Sequence, residues 1–424
     1  MKRLFFALLF AALAVSGCSN SDNDGLDDPT PPAEQTPDDS DDPAGDETGG
    51  GDEEGDDNGD ADNPENPDGE EDGEGEEGEG GGEDDPAGDG DEDEPVEKVE
   101  DVLPELPFEY DWVIVAADGT GDYRTLKEAL NKISGSKYHI VHIRPGTYCE
   151  KIDMRKDRVI LYGDNPETTI ITYDDYAGKP RSSTSTSTIG TQDSYSFAVN
   201  AQEFVAINVT FQNTHKNMSG SGDQAVAVTV FQDRAAFYNC RLLGYQDTFY
   251  VKNEARVYCK DCYIEGNVDF ICGDAALLCE NCTLCVNRND SPITAPSTSP
   301  KSDFGFVFRD CKITSLPGKD FRGNEITSIY LGRAWKAGAR AVYINCEEPA
   351  NLSPDGWRNR MSEDAVEALF AEYQCTGEGA TAERLEQRKN NGRQLTDDEA
   401  AEYTRDNIFT RNNSTWVPME PISL

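Results

Sequence analysis

Two carboxylates stand out by their surroundings. Gln246-Asp247-Thr248-Phe249-Tyr250 and Val268-Asp269-Phe270-Ile271-Cys272-Gly273 each carry one Asp with suitable neighbours, and Asp269 sits in an apolar run. An unpaired charge at Asp269 is costly, and the competing reading of both Asp residues is that they cap turns. The two are 22 residues apart. Other hydrolytic chemistries are thinly supplied. The chain has three histidines, His139, His142 and His215, and no Gly-x-Ser-x-Gly elbow, which leaves little room for a Ser-His-Asp hydrolase. His139 and His142 share one strand-like run and would bind a metal only if they emerged on one face; packing within the strand is the expected reading. Hydrolysis by this chain must therefore rest on carboxylates.

A repeat positions these groups. Asn239-Cys240, Asp261-Cys262, Asn281-Cys282, Asp310-Cys311 and Asn345-Cys346 recur with cysteine spacings of 22, 20, 29 and 35 residues, and Asn208-Val209 is an earlier copy without the Cys. Strand-like units at such periods point to a solenoid whose coils stack around one core, with the variable excess in loops. A parallel β-helix fits better than a sandwich, which would show tight hairpin turns between neighbouring strands. Asp247 and Asp269 then sit one coil apart, able to emerge on the same face. Two stretches read as helical, 125–133 after a Gly-Thr-Gly-Asp turn and 362–370 near the C-terminus.

The same register disposes of a zinc-ribbon spacing. In Cys259-x-x-Cys262 and Cys279-x-x-Cys282 the corresponding cysteines are 20 residues apart, one coil, and are expected to stack as small apolar residues. The strand spacing of about 4.8 Å would also permit disulfides between them. No metal or organic cofactor is required.

The formal charge of −46 is not spread evenly over the 424 residues. Residues 19–101 hold 38 acids against the single Lys98 and no aromatic residue. Such a segment cannot bury enough apolar surface to offset the entropy of ordering its backbone, and is expected to be a disordered acidic tether. Neither part is basic overall, so nucleic acid is not an expected partner. At the N-terminus Met1-Lys2-Arg3 precedes an apolar run from Leu4 to Val15, the pattern of an export signal. Val15-Ser16-Gly17-Cys18 resembles a bacterial lipobox, which implies a diacylated Cys18, and Ser19 after it does not favour inner-membrane retention. The expected organisation is a signal peptide over 1–17, a lipid-anchored acidic tether over 18–101 and a catalytic β-helix over 102–424, at the cell surface or outer membrane.

Six motifs occur in an order that resembles the pectin methylesterases (pectinesterases). They are Ala117-Asp118-Gly119-Thr120-Gly121-Asp122-Tyr123-Arg124-Thr125, Gly146-Thr147-Tyr148-Cys149-Glu150, Gln224-Ala225-Val226-Ala227-Val228, the two Asp motifs above, and Leu331-Gly332-Arg333-Ala334-Trp335. The resemblance implies an all-β, right-handed parallel β-helix with short helices near its ends, acting as a monomeric carboxylic ester hydrolase on methylated homogalacturonan. It implies Asp269 as nucleophile, Asp247 as general acid and then base, Gln224 and Gln246 as oxyanion donors, and Arg333 as the cation that holds Asp269 ionised. Trp335 would stack on a sugar ring, with Tyr250 and Trp357 as weaker groove candidates. Two positions depart from the family pattern: Cys272 stands where Phe is usual, and Ala334 where Pro is usual.

Overall fold

A computed structural model describes residues 105–216 and 223–423. The export signal, Cys18 and the acidic tether lie outside the described residues. From Tyr110 onward the chain winds through three parallel sheets, each coil adding one strand to each. Among the described residues one sheet has eleven strands and the other two have seven each, with in-sheet neighbours three strands apart in sequence over most of their length. Among the described strands one pair is antiparallel, the short C-terminal hairpin Thr410–Arg411 with Ser414–Thr415, and isolated antiparallel bridges join Pro180 to Thr188 and Lys319 to Glu325. This is a parallel β-helix, as the repeat predicts.

The repeat marks one corner of the coil. Asn208, Asn239, Asp261, Asn281, Asp310 and Asn345 all adopt positive φ, between 47° and 57°. Asn and Asp tolerate this left-handed conformation better than other residues with a side chain. Three pairs on neighbouring coils bond side chain to side chain: Asn239 to Asn208 (2.7 Å), Asn281 to Asp261 (2.5 Å) and Asn345 to Asp310 (3.2 Å). The next residue turns inward: Cys240, Cys262, Cys282, Cys311 and Cys346 are buried in the main core, and Val209 takes the same place on the earlier coil. Cys259 lies directly opposite Cys279 in register. All four cysteines of the zinc-like pattern are buried free thiols, stacked as expected and without the disulfides that the spacing permits.

The opening motifs are structural. Thr125 caps the helix Leu126–Lys132 by accepting from the Glu128 N–H, and the Glu150 carboxylate accepts from the N–H groups of Leu126 and Lys127 at 2.8 Å each. A carboxylate on the free N–H groups of a first helical turn is favourable. The Tyr148 hydroxyl donates to the Arg144 carbonyl at 2.9 Å. Leu126, Ala129 and Leu130 of this helix are buried in the main core.

One expectation is corrected, and one is met. Residues 362–370 form no helix: they turn, and Leu369–Tyr373 pairs with Arg340–Ile344 on one side and Arg393–Gln394 on the other, near the C-terminal end of the long sheet. Neighbouring backbone outweighs local propensity there, and the C-terminal helices are Ala382–Gln387, Asp397–Ala401 and Arg405–Ile408 instead. His139 and His142, three residues apart on one strand, face opposite sides of the sheet. His142 packs on the outer face between Trp112 and Tyr162 and bonds Asp164 at 2.6 Å, whereas His139 lies beside Asp111. They cannot share an ion.

The C-terminal end holds a sealed charge cluster. Arg388 Nη1 donates to Glu348 at 2.9 Å and to Glu372 at 2.7 Å, with all three side chains about 1 % exposed or less. Glu348, Glu372 and Cys375 have metal-ligand spacing, but the guanidinium bridges the two carboxylates as a cation. Burial, followed by the neighbouring Glu348 charge, pushes the Glu372 carboxyl up to about 9. Folding therefore takes up a proton between the ordinary carboxylate range and that value, and stability falls as pH rises through this window. We expect the melting temperature of the wild type to decline from about pH 5 to pH 9 and Glu372→Gln to flatten that decline; an identical slope in the variant would show that the cluster does not titrate in this way.

Candidate active site

The site lies where the turn into one seven-stranded sheet delivers a side chain from each successive coil. Strand Phe249–Val251 pairs in register with Ile271–Gly273, and Asp247 and Asp269 each stand two residues before these strands. Both adopt positive φ, 63° and 55°, so the chain kinks at the same place on adjacent coils. The Asp247 N–H donates to the Val268 carbonyl (3.3 Å) and the Asp269 N–H to the Pro292 carbonyl (2.9 Å), which fixes both positions along the stack. Adjacent coils are about one strand spacing apart, roughly 4.8 Å. Below the turn, the Thr248 hydroxyl donates to the Glu265 carbonyl at 3.0 Å, and Asn287 Nδ2 donates to the Gly244 carbonyl at 2.9 Å.

Asp269 is 3 % exposed and gripped by Arg333 from two coils further on: Nε reaches Oδ1 at 3.0 Å and Oδ2 at 3.2 Å, and Nη2 reaches Oδ2 at 2.6 Å. A forked guanidinium on a carboxylate fixes orientation as well as charge. Gly332 allows this approach, because a Cβ there would lie 2.0 Å from Thr294 Oγ1 on the preceding coil. Burial alone would weaken the Arg333 charge, but the Asp269 and then the Asp247 carboxylates outweigh it and hold its pKa above the ordinary value. Asp247 is thus electrostatically part of the same cluster.

Gln224 and Gln246 follow the same stacking, since the Ala225 N–H donates to the Gln246 carbonyl at 3.1 Å. The Gln224 segment is steadied by Asn213, whose Nδ2 donates to the carbonyls of Asp175, Ser194 and Val226 at 2.9–3.1 Å. The Gln224 side-chain amide is half-buried and makes no hydrogen bond among the described residues. It remains available to a ligand oxygen.

Beside the carboxylates, Tyr250, Cys272, Ala295 and Val226 form a small apolar cluster on the outer face of the sheet, bordered by Tyr195, Trp335 and Met361. Tyr250 and Trp335 lie 6.0 Å apart at 43°, and the Lys336 ammonium stands 5.6 Å over the Trp335 ring. Cys272, level with Tyr250, supplies a small side chain to this surface. Trp357 is not part of it. That residue is 2 % exposed, sits in the main core and stacks on Phe370 at 4.4 Å, because its strand position turns inward beneath Gly332.

Two features near the site carry no motif. His215 stacks on Tyr176 at 3.8 Å and contacts Asp223, the residue before Gln224, at 3.2 Å. Arg288 lies in the turn of the coil after Asp269. Neither has a sequence signal beyond its residue type, since each is brought in by a loop of unconstrained length.

A family model described as Pectinesterase matches residues 112–412. The chain belongs to the pectinesterase family. Pectinesterase 31 of Arabidopsis thaliana is 35 % identical over 300 residues, 69 % of this chain and 90 % of that one. The putative pectinesterase/pectinesterase inhibitor 28 of the same plant is 36 % identical over 279 residues, 63 % of this chain but 36 % of the relative. The chain thus spans little more than a third of the length of that relative, and 40 % of the similar inhibitor-type relative 21. Among solved structures, pectin methylesterase from carrot matches with a TM-score of 0.63 at 30 % identity over 77 % of this chain and 99 % of that chain. Pectin methylesterase PemA from Erwinia chrysanthemi matches with a TM-score of 0.61 at 26 % identity, covering 74 % and 99 %. The architecture is accordingly the right-handed parallel β-helix of these pectinesterases.

The Arg333–Asp269 pair makes a direct prediction. Arg333→Met leaves Asp269 buried without its counter-charge and is expected to lower the unfolding free energy by about 3–5 kcal/mol in denaturant titrations at neutral pH. Adding Asp269→Asn should recover most of that loss. A double variant no more stable than Arg333→Met would show that packing, not charge pairing, holds the turn.

Proposed function

We propose that this pectinesterase-family chain is a pectin methylesterase, hydrolysing the C6 methyl esters of homogalacturonan to methanol and free uronate. The observation that carries the reading is the row formed by Gln224, Gln246 with Asp247, Asp269 and Arg333, delivered by successive coils beside an aromatic patch. A related pectin methylesterase, 26 % identical with a TM-score of 0.60, has been solved in complex with a hexasaccharide. The patch of Trp335 and Tyr250 suits a pyranose ring, with Trp335 presenting its face and the largely buried Tyr250 forming the floor.

Each step assigns one task to one group. Asp269, oriented by the forked contacts of Arg333, attacks the ester carbonyl carbon, and the carbonyl oxygen takes up the negative charge. The amides of Gln224 and Gln246 donate to that oxygen; neutral donors leave no competing charge beside the nucleophile at rest. Removing one such donor typically costs roughly 10²–10³ in kcat. Collapse breaks the bond to the methoxy oxygen, which leaves as methanol with the proton of Asp247, and the uronyl group remains on Asp269 as an anhydride. Asp247, now a carboxylate, takes a proton from water as the water attacks, and the second collapse frees uronate and Asp269. Environment divides the labour between two identical side chains. None of these steps calls for a metal or an organic cofactor.

Measuring methanol, unsaturated products and new reducing ends in parallel on methylated pectin tests the class. Methanol alone is expected. Unsaturated products would indicate a lyase, reducing ends a polygalacturonase, and pectin binding with no product a glycan-binding protein. Asp269→Ala is expected to lower methanol release by at least about 10³-fold, and Asp247→Asn to slow turnover with KM little changed. Retention of most activity in either variant would remove that residue from its role.

The same proposal places the enzyme as a monomer on a lipid-anchored tether at the cell surface or outer membrane. It rests on the apolar run before Cys18 and on the acidic, glycine-rich composition of 19–101, whose like charges favour an extended chain. Cys18→Ser should move the protein from the detergent-soluble membrane fraction to the supernatant at unchanged specific activity. An unchanged distribution would refute the anchor.

A further inference from the structure

Strand pairing places the two Asp residues closely, but it reaches Gln224 less directly. Asp247 and Asp269 stand two residues before their strands, whereas Gln224 stands four residues before Val228–Val230. A side-chain frame supplies what the ladder leaves open. Asp223 immediately precedes Gln224 and is 8 % exposed. A buried carboxylate needs a partner. Its Oδ2 lies 3.2 Å from His215 Nε2, and its Oδ1 meets no donor among the described residues. A carboxylate only accepts, so Nε2 carries the hydrogen and donates to it.

His215 is itself fixed by the same frame. Its ring stacks on Tyr176 with centroids 3.8 Å apart and planes 10° from parallel, and its backbone N–H donates to Asn213 Oδ1 at 3.0 Å. Asn213 is the residue whose Nδ2 ties the carbonyls of Asp175, Ser194 and Val226 together. Next to Tyr176, the Ala177 N–H donates to the Gln224 carbonyl at 2.8 Å. On the other side of Gln224, the Val226 N–H donates to Ser194 Oγ at 3.2 Å. The backbone is thus tied down before, at and after Gln224, while the side-chain amide makes no hydrogen bond among the described residues. An amide without a partner of its own takes its direction from the backbone that carries it, because the accessible rotamers depend on φ and ψ.

We propose that His215 and Asp223 are positioning residues for the oxyanion: their contact, backed by the Tyr176 ring, sets the direction of the Gln224 amide, and they act on the rate through Gln224 alone. This rests on the methylesterase reading of the site. The oxyanion forms only on the way through the transition state, so a misdirected donor lowers kcat and leaves binding of the ester nearly unchanged. A displacement of about 1 Å at such a group can cost on the order of 10²-fold. Loss of the His215 donor frees Asp223, and with it the residue that follows.

The test is a double-mutant cycle that follows methanol release from methylated pectin. His215→Ala and Asp223→Ala are each expected to lower kcat by roughly 10- to 100-fold with KM within about twofold of wild type. Gln224→Ala should lose about 10²–10³ in kcat. Combining His215→Ala with Gln224→Ala should leave kcat within about twofold of Gln224→Ala alone, because the second change removes the group through which the first acts. Losses that multiply in the double variant, a raised KM at unchanged kcat, or unchanged kinetics in both His215→Ala and Asp223→Ala overturn the proposal. His215→Phe keeps a ring on Tyr176 and removes only the donor, so it serves if the alanine variants lose their cooperative melting transition. The same kcat loss and the same non-additivity with Gln224→Ala are expected of it, and wild-type kcat in His215→Phe overturns the proposal. If wild type released no methanol the methylesterase reading would fail by itself. Crystal structures of wild type and His215→Phe then decide the frame: a Gln224 side chain in one orientation in wild type and displaced in the variant supports it, and an identical Gln224 in both overturns it.

Discussion

In-register stacking of parallel strands is the constraint on which the rest of the molecule depends. Once Phe249 lies opposite Ile271, Asp247 must lie beside Asp269, and the Gln224 segment and Arg333 are placed by the same ladder of backbone hydrogen bonds. No long side chain has to reach across the molecule. The coil also tolerates insertions: the spacing between Asn/Asp-Cys units grows from 20 to 35 residues, yet every corner returns to the same left-handed conformation. Extra residues leave the barrel as loops, while the three strands of each coil keep their partners.

Two clusters that each combine two carboxylates with one guanidinium differ in their exposure. At the C-terminal end, Glu348, Glu372 and Arg388 are sealed, and a proton compensates the second carboxylate. In the groove, Arg333 makes its direct contacts with Asp269 and feels Asp247 at longer range, and Asp247 stays half-buried. The sealed cluster locks the chain end. The open one keeps one carboxylate oriented and leaves the other partly exposed.

Much of this was legible in the sequence because periodicity and residue type report directly on backbone geometry. The Asn/Asp-Cys repeat encodes a corner that only a few residue types tolerate, followed by a small buried side chain, and it reveals the solenoid without reference to any relative. The opening motif and the Gly-x-Tyr-x-Glu segment proved structural: Thr125 and Glu150 serve the first helix. The reading of 362–370 as helix failed because Leu369 and Phe370 were available to extend the long sheet, a partner that local propensity does not see. Trp357 has an aromatic's ordinary ambiguity between groove and core, and stacking on Phe370 decides it. His139 and His142 were separable by simple strand parity, since three residues place them on opposite faces.

The sequence by itself determined the coil, the two carboxylates one coil apart and the segregation of charge into a segment with no aromatic and few apolar residues. These follow from period, from the few residue types that accept a left-handed corner, and from the entropy of ordering an acidic chain. Only the tertiary structure decided which cation meets which anion. Arg333 comes 64 residues after Asp269 and closes on it, whereas Arg288, only 19 residues away, makes no ion pair among the described residues. Pairing of charges depends on angstrom-scale direction and on loops of unconstrained length, and neither is written in spacing.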